Sequence, residues 1–418
     1  MIPKTLVGIT DVIGGWWARH PFLKVLAQKD FTLLWSAQVM STLGDQFTYI
    51  ALAILVLKTT GSALQVGLMF AVTTVPNILF GLIAGVFVDR WDRRRTMITC
   101  DILRVGIIAA IPWLIHLHLG LVYAALFIST AASRFFRPAR VASIPHIVPE
   151  EQLVSANALD KTGVEAGRMI GYSLAGVIIS WYGATVAFFF DATTFLLSAL
   201  ALSAIVIPYT PRPQGSGRSI AQIKLELIDG LRYIWRNSVL RVAMGLALVA
   251  PLGMGLLNAL LVVFALRVLG TTEAGYGLLE TSIAAGVVLA GLIIGSFGDS
   301  LKRSAMMMWG LAGLGLSTIL LAFSPSLMVA MGVMLLSGLA NGVSLVGLRT
   351  LLQEQTPPEY RGRVSGAWMT AVSTSMVLGM SLTGLADVLP VRPIMAAAGM
   401  MMALTGLVGA QLPHLRNV

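Results

Sequence analysis

From Asp30 onwards the chain is a succession of apolar runs about as long as a bilayer is thick, separated by turns of a few residues. Between Leu64 and Leu119 the main polar interruption is Gly85 to Met97, and it holds Arg90, Arg93, Arg94 and Arg95. A helix needs about 20 apolar residues to span the hydrocarbon layer. With turns this short, the chain has room for roughly a dozen spans. Only 11% of its 418 residues are charged, against about 25% in a soluble domain. So few charges cannot cover a water-facing surface. The expected fold class is an all-α polytopic membrane protein with twelve transmembrane helices.

Hydropathy puts the spans at about 31–57, 64–88, 96–118, 121–143, 154–180 and 184–207 in the first half. In the second half they fall at about 239–268, 274–297, 303–323, 327–350, 363–388 and 393–412. The expected domains are an interfacial N-terminal segment (1–30), a six-helix bundle (31–207), a central loop (208–238) and a second six-helix bundle (239–418). Within the loop, Ser219 to Trp235 is amphipathic, with Ile220, Ile223, Leu227, Leu231 and Ile234 near one face, as expected of a helix lying on the membrane surface. The basic residues decide orientation. They crowd the turns after spans 2, 4, 8 and 10 and the central loop, whereas the opposite side has Lys58, Arg267 and Arg392. By the positive-inside rule both termini and the central loop lie in the cytoplasm. The net charge of +10 is therefore topogenic and implies no nucleic-acid partner. Cys100 is the only cysteine, and the five histidines have no ligand spacing, so neither metal nor cofactor is expected.

The halves repeat. Gly67, Gly85, Asp89, Arg93 and Ser155 recur as Gly277, Gly295, Asp299, Arg303 and Ser365 at one offset of 210 positions (Gly85 to Gly295). An ordered set of matches at a single offset indicates two pseudo-symmetric bundles. The turn Gly85-Val-Phe-Val-Asp89-Arg90-Trp-Asp92-Arg93-Arg94 resembles the signature loop between helices two and three of the major facilitator superfamily of secondary transporters. Asp92 stands where the usual pattern has a second glycine. Phe136-Arg-Pro-Ala-Arg140, Pro149 to Asn157 and Gln355 to Gly366 are similar to the cytoplasmic connections of the branch containing enterobactin exporters and macrolide efflux pumps. The resemblance implies two six-helix bundles rocking about a midplane site. Its conformational latch would comprise Gly85, Asp89, Arg90 and Arg93 with Asp299 and Arg303. Asp89 would cap the start of helix 11, Arg93 would meet an acid on a neighbouring helix, and Gly85 would let helix 2 pack closely.

Acids inside a span cost about 2.5–3.5 kcal/mol on insertion scales and by default face a cavity or a partner. Asp45, in the middle of span 1, is the first proton-coupling candidate; Glu280 and Glu165 are the others. Glu165 and Arg168 lie one turn apart on span 5, where Gly163, Gly167 and Gly171 make a close-packing face. That face resembles the glycine-rich helix 5 of antiporters, without its usual proline. The pair is either an intrahelical salt bridge or leaves Arg168 to meet Asp45 or an anionic substrate. Arg134 and Arg137 read as partners of Asp89, Asp92 or Asp101. Substrate-cavity candidates are Gln38, Thr74, Asn77, Arg168, Asn258, Asn341 and Trp368. The expected function is proton-driven export of hydrophobic or amphipathic small molecules, drugs or siderophores, by a monomer surrounded by lipid. A catalytic constellation and a phosphate-binding loop are both missing, so neither an enzyme nor direct ATP drive is expected. The alternatives are a lysophospholipid flippase of the same fold and a membrane sensor that does not transport.

Overall fold

A computed structural model describes residues 21–81, 83–88, 90–208, 220–297 and 301–412. Among them, twelve long helices follow in the expected order. The first six are α1 (Lys29–Thr60), α2 (Ala63–Phe80), α3 (Arg93–Leu117), α4 (Leu119–Ile147), α5 (Leu153–Tyr182) and α6 (Ala184–Ser203). The second six are α7 (Ser238–Val268), α8 (Glu273–Phe297), α9 (Arg303–Ala322), α10 (Leu327–Glu354), α11 (Pro358–Ser381) and α12 (Val391–Gln411). Eleven of the described helices are long and apolar enough to cross a membrane. The other is α5, because Asp160, Lys161, Glu165 and Arg168 occupy its first half. Large apolar side chains such as Trp113, Leu117, Leu200, Met328 and Leu404 are exposed around the outside, which suits lipid and not water.

Within the first half α1 packs on α5 and α6, and α3 on α4 and α6. The second half repeats the scheme with α8 on α10, α9 on α10 and α12, and α7 on α11. Contacts between the halves run chiefly through α5–α8 and α2–α11. Close approach there depends on glycine. A Cβ on Gly277 of α8 would lie 2.6 Å from the Tyr172 carbonyl oxygen of α5. One on Gly67 of α2 would lie 2.2 Å from the Met380 carbonyl oxygen of α11. Neither backbone neighbour can give way, so only glycine permits these contacts.

Three details of the basic turn differ from expectation. Helix α2 stops at Phe80 and a single turn, Ala84–Val88, completes the span. Gly85 makes no close packing, since a Cβ there would meet nothing within 4 Å. Arg93 donates to the Ala142 carbonyl on α4 at 2.9 Å instead of meeting an acid. The pseudo-symmetric Arg303 does meet one, Glu354 on α10 at 3.4 Å. The first half has Ile144 at the position equivalent to Glu354, so no acid stands there for Arg93. Asp92 caps α3, accepting from the Arg95 N–H at 2.7 Å, which explains a carboxylate where the pattern has glycine. Arg94 donates to the Leu202 and Ser203 carbonyls at the end of α6. Asp89 and Asp299 lie outside the described residues, as does the N-terminal segment up to residue 20.

The central helix, Ile220–Arg236, is not only a surface element. Its Gly230 packs on the Arg363 backbone, Asp229 lies 3.6 Å from the Arg363 guanidinium, and Tyr233 stacks on Tyr360 with centroids 4.7 Å apart. It thus docks on the first turns of α11. Leu225, Ile228, Leu231 and Trp235 remain exposed on its other side.

Candidate functional site

One end of the bundle is closed by bonds between the halves. Lys58 at the end of α1 pairs with Glu273 at the start of α8. Arg267 donates to the Gly61 carbonyl at 2.8 Å. Asp387, in the turn that ends α11, accepts from Ser62 Oγ at 2.7 Å and from the backbone N–H groups of Ala63 and Leu64 at 2.6 and 3.2 Å. A carboxylate from the second half therefore caps the first turn of α2, where the helix dipole and orphan N–H groups favour negative charge. Gly67 and Gly277 make their close contacts at this same end.

Towards the other end lies a cavity of about 600 Å³. Its wall comes almost wholly from the first half, with Arg349 of α10 facing in from the second. Asp45, at mid-helix in α1, forms an ion pair with Arg104 of α3. The Arg104 guanidinium lies 3.7 Å from the centroid of the Phe195 ring, so aromatic stacking fixes its plane as well as charge. Two further acids flank it. Asp101 accepts from Ser198 Oγ at 2.6 Å, and its other oxygen has no hydrogen-bond partner among the described residues. Asp191 accepts from Thr48 and Thr194. Helices α1, α3 and α6 thus share a buried charged cluster whose only exposed member is Asp45; its side chain is 40% exposed. Four residues further along α1, Tyr49 Oη lies 3.5 Å from the buried Glu280 carboxylate of α8. One helix face therefore joins the cavity's ion pair to a contact across the two halves.

The sequence-predicted residues separate into three groups. Gln38, Asp45, Glu165 and Arg168 all line the cavity. Asp45 pairs with Arg104 and not with Arg168, which sits 3.8 Å from Glu165 as an exposed intrahelical pair. Glu280 and Asn258 line a separate pocket of about 30 Å³ in the second half. Glu280 is 6% exposed: it is enclosed, with Tyr49 of the first half beside its carboxylate. Thr74 and Trp368 are off the cavity wall: Thr74 is buried with its hydroxyl bonded to the Phe70 carbonyl beside α11, and Trp368 is buried among Met307, Leu348 and Leu351. Asn77 and Asn341 are partly buried and do not line the large cavity. Arg134 and Arg137 also line the cavity and make no ion pair among the described residues, contrary to their reading as partners of nearby acids. Arg104 escaped the sequence reading. The signal was present, because an arginine at about the ninth residue of span 3 is an intramembrane charge and as such a site candidate.

The sequence of the chain matches the model of the transmembrane secretion effector family over residues 21–417. The chain belongs to that family. It is a multi-pass membrane transporter of the major facilitator superfamily, with its macrolide-efflux resemblance upheld. It is 28% identical over 405 residues to the multidrug efflux pump Tap of Mycobacterium tuberculosis, covering 92% of this chain and 94% of that protein. It is 25% identical over 364 residues to macrolide efflux protein A of Streptococcus pyogenes, covering 85% and 88%. Its fold superposes on the crystal structure of the nucleoside transporter NupG with a TM-score of 0.75 at 12% identity, covering 91% of this chain and 99% of that one. The two halves described above are therefore the two six-helix bundles of this superfamily.

Proposed function

We propose that this transporter exports hydrophobic or amphipathic small molecules, drugs in preference to siderophores, in exchange for protons. It works as a monomer in the bacterial inner membrane, with the basic turns and both termini in the cytoplasm. In that orientation the closed end faces outward and the cavity opens inward. The observation that carries the reading is the ion pair Asp45–Arg104 in the wall of a cavity that one end of the bundle seals. The names of the related pumps support drugs as cargo.

The proposed cycle follows from what protonation does to that pair. An ionised Asp45 neutralises Arg104; a protonated one leaves the guanidinium to Asp101 and Asp191 on α3 and α6. Each state favours a different packing of α1 against α3 and α6, and α1 also carries Tyr49 to the α8 contact. Asp387 at one end of the α2–α11 pair and Asp89 at the other would hold the alternate closed states. The test is flux in proteoliposomes carrying an internal pH dye, challenged with labelled amphiphiles of each charge. Wild type should release protons on substrate uptake, whereas Asp45→Asn should exchange substrate passively without accumulating it. Equal accumulation by the variant would make Asp45 structural and shift the role to Glu280.

A further inference from the structure

The charge balance of the large cavity does not suit a cationic drug. Seven cationic side chains and four acidic ones line it. Three pairs cancel: Arg104–Asp45, Arg140–Asp160 and Arg168–Glu165. The fourth acid, Asp101, is buried and takes a hydroxyl from Ser198. That leaves Arg134, Arg137, Lys161 and Arg349 facing one space with no ion pair among the described residues. Two guanidiniums in the wall are also incompletely bonded. The Nε of Arg134 and the Nε of Arg140 are buried with no acceptor, and the Arg140 side chain is only 7% exposed. Buried donors are rarely left unpaired, so orphans at the wall of a roomy cavity point to an absent acceptor.

Resting on the export reading above, we infer that the substrates carry an anionic group, a phosphate or carboxylate. Arg134 and Arg137 bind it from α4, with Lys161 on α5 and Arg349 on α10 opposite. The guanidinium fork matches both oxyanions in a bidentate manner, and Arg134 and Arg137 project from one face of α4, one turn apart. Arg349 is the contribution of the second half, so an anion bound here bridges the two bundles. The surplus positive charge of this cavity also repels a lipophilic cation. The volume of about 600 Å³ holds a whole small molecule and not a bare ion.

Binding can be tested without any gradient, which separates this inference from the export reading: flux can fail while anion binding persists, and the reverse. Purified protein in a maltoside detergent is titrated with dodecyl phosphate, dodecyltrimethylammonium and hexyl phosphate, following tryptophan fluorescence. Dodecyl phosphate should bind at least about ten-fold tighter than the cation of equal chain length, and Arg134→Gln/Arg137→Gln should weaken it by about ten-fold or more. Hexyl phosphate binding comparably would indicate soluble anions as cargo; binding of the long chain alone would indicate a lipid-like one. Both support an anionic group. Equal or tighter binding of the cation overturns the inference, as does a folded double variant with unchanged anion affinity. Should the double variant not fold, the wild-type anion-to-cation ratio and the single exchange Arg349→Gln decide the matter in the same way.

Discussion

Asp45 and Arg104 depend on each other for their place inside a membrane. An isolated charge there is costly, and breaking a buried pair by removing one partner costs about 3–5 kcal/mol. Asp45 is 40% exposed to the cavity, so solvent screening reduces this to roughly 1–3 kcal/mol. Arg104→Gln should therefore lower the melting temperature in detergent. Adding Asp45→Asn should restore most of that stability without restoring coupled transport. A double variant as unstable as the single one would show that Arg104 acts through Phe195 and Asp101 and not through Asp45. Half of this pair was legible in the sequence. Asp45 stands alone in an apolar stretch, where burial of a carboxylate demands a reason. Arg104 follows Asp101 by three residues and looks like half of an intrahelical pair, so its partner across the bundle could not be read without the packing. For Glu165 and Arg168 the same spacing does mark a real intrahelical pair. Spacing within a helix cannot distinguish the cases; only the side that faces the neighbour does.

At the scale of elements, the α2–α11 pair carries the Asp387 carboxylate at its sealed end, and in sequence Asp89 directly follows the turn Ala84–Val88 that completes the second span. Asp387 caps α2 in this structure; Asp89 is proposed to cap α11 in the alternate state. Asn keeps one acceptor oxygen but loses the negative charge at the helix N-terminus, worth about 0.3–1 kcal/mol. Asp387→Asn should thus shift the ratio of closed to open forms at that end by roughly two- to five-fold, read as modification of a single cysteine introduced at Ala63, which is buried in the closed form, in a Cys100→Ser background. Asp89→Asn should shift it the opposite way. Gly277→Val tests the seam between α5 and α8. Its side chain must displace the Tyr172 backbone, and overpacking costs about 1–3 kcal/mol, so the closed form should be depopulated while the second half still folds. Unaltered cysteine protection in that variant would mean the seam is looser than described. Span positions were legible to within a few residues because bilayer thickness imposes them on composition. The break in α2 at Phe80 was not, since the apolar run continues through it and the turn is set by packing. Nor was the docking of the central helix on α11, which depends on Asp229, Tyr233 and Gly230 finding Arg363 and Tyr360 across the fold.

At the scale of the whole molecule, one end is sealed by Lys58–Glu273, Arg267–Gly61 and the Asp387 cap, and the other gives onto a charged cavity. Sealing one end while opening the other is the property on which alternating access depends, and the internal repeat visible in the sequence supplies its symmetry. Coupled transport by this route needs the two ends to open in alternation and Asp45 to bias the exchange. Spin-label distances measure both at once in a Cys100→Ser background, with labels at Thr59 and Val388 across the sealed end and at Arg95 and Glu359 across the other. All four positions are exposed. Two populations should appear, short–long and long–short, shifting together with pH in wild type. Asp45→Asn should hold the distribution that wild type reaches at acid pH and should no longer respond to pH. A single distance at each end, or two ends that open together, would contradict alternating access; an unchanged pH response in Asp45→Asn would contradict the role of the pair.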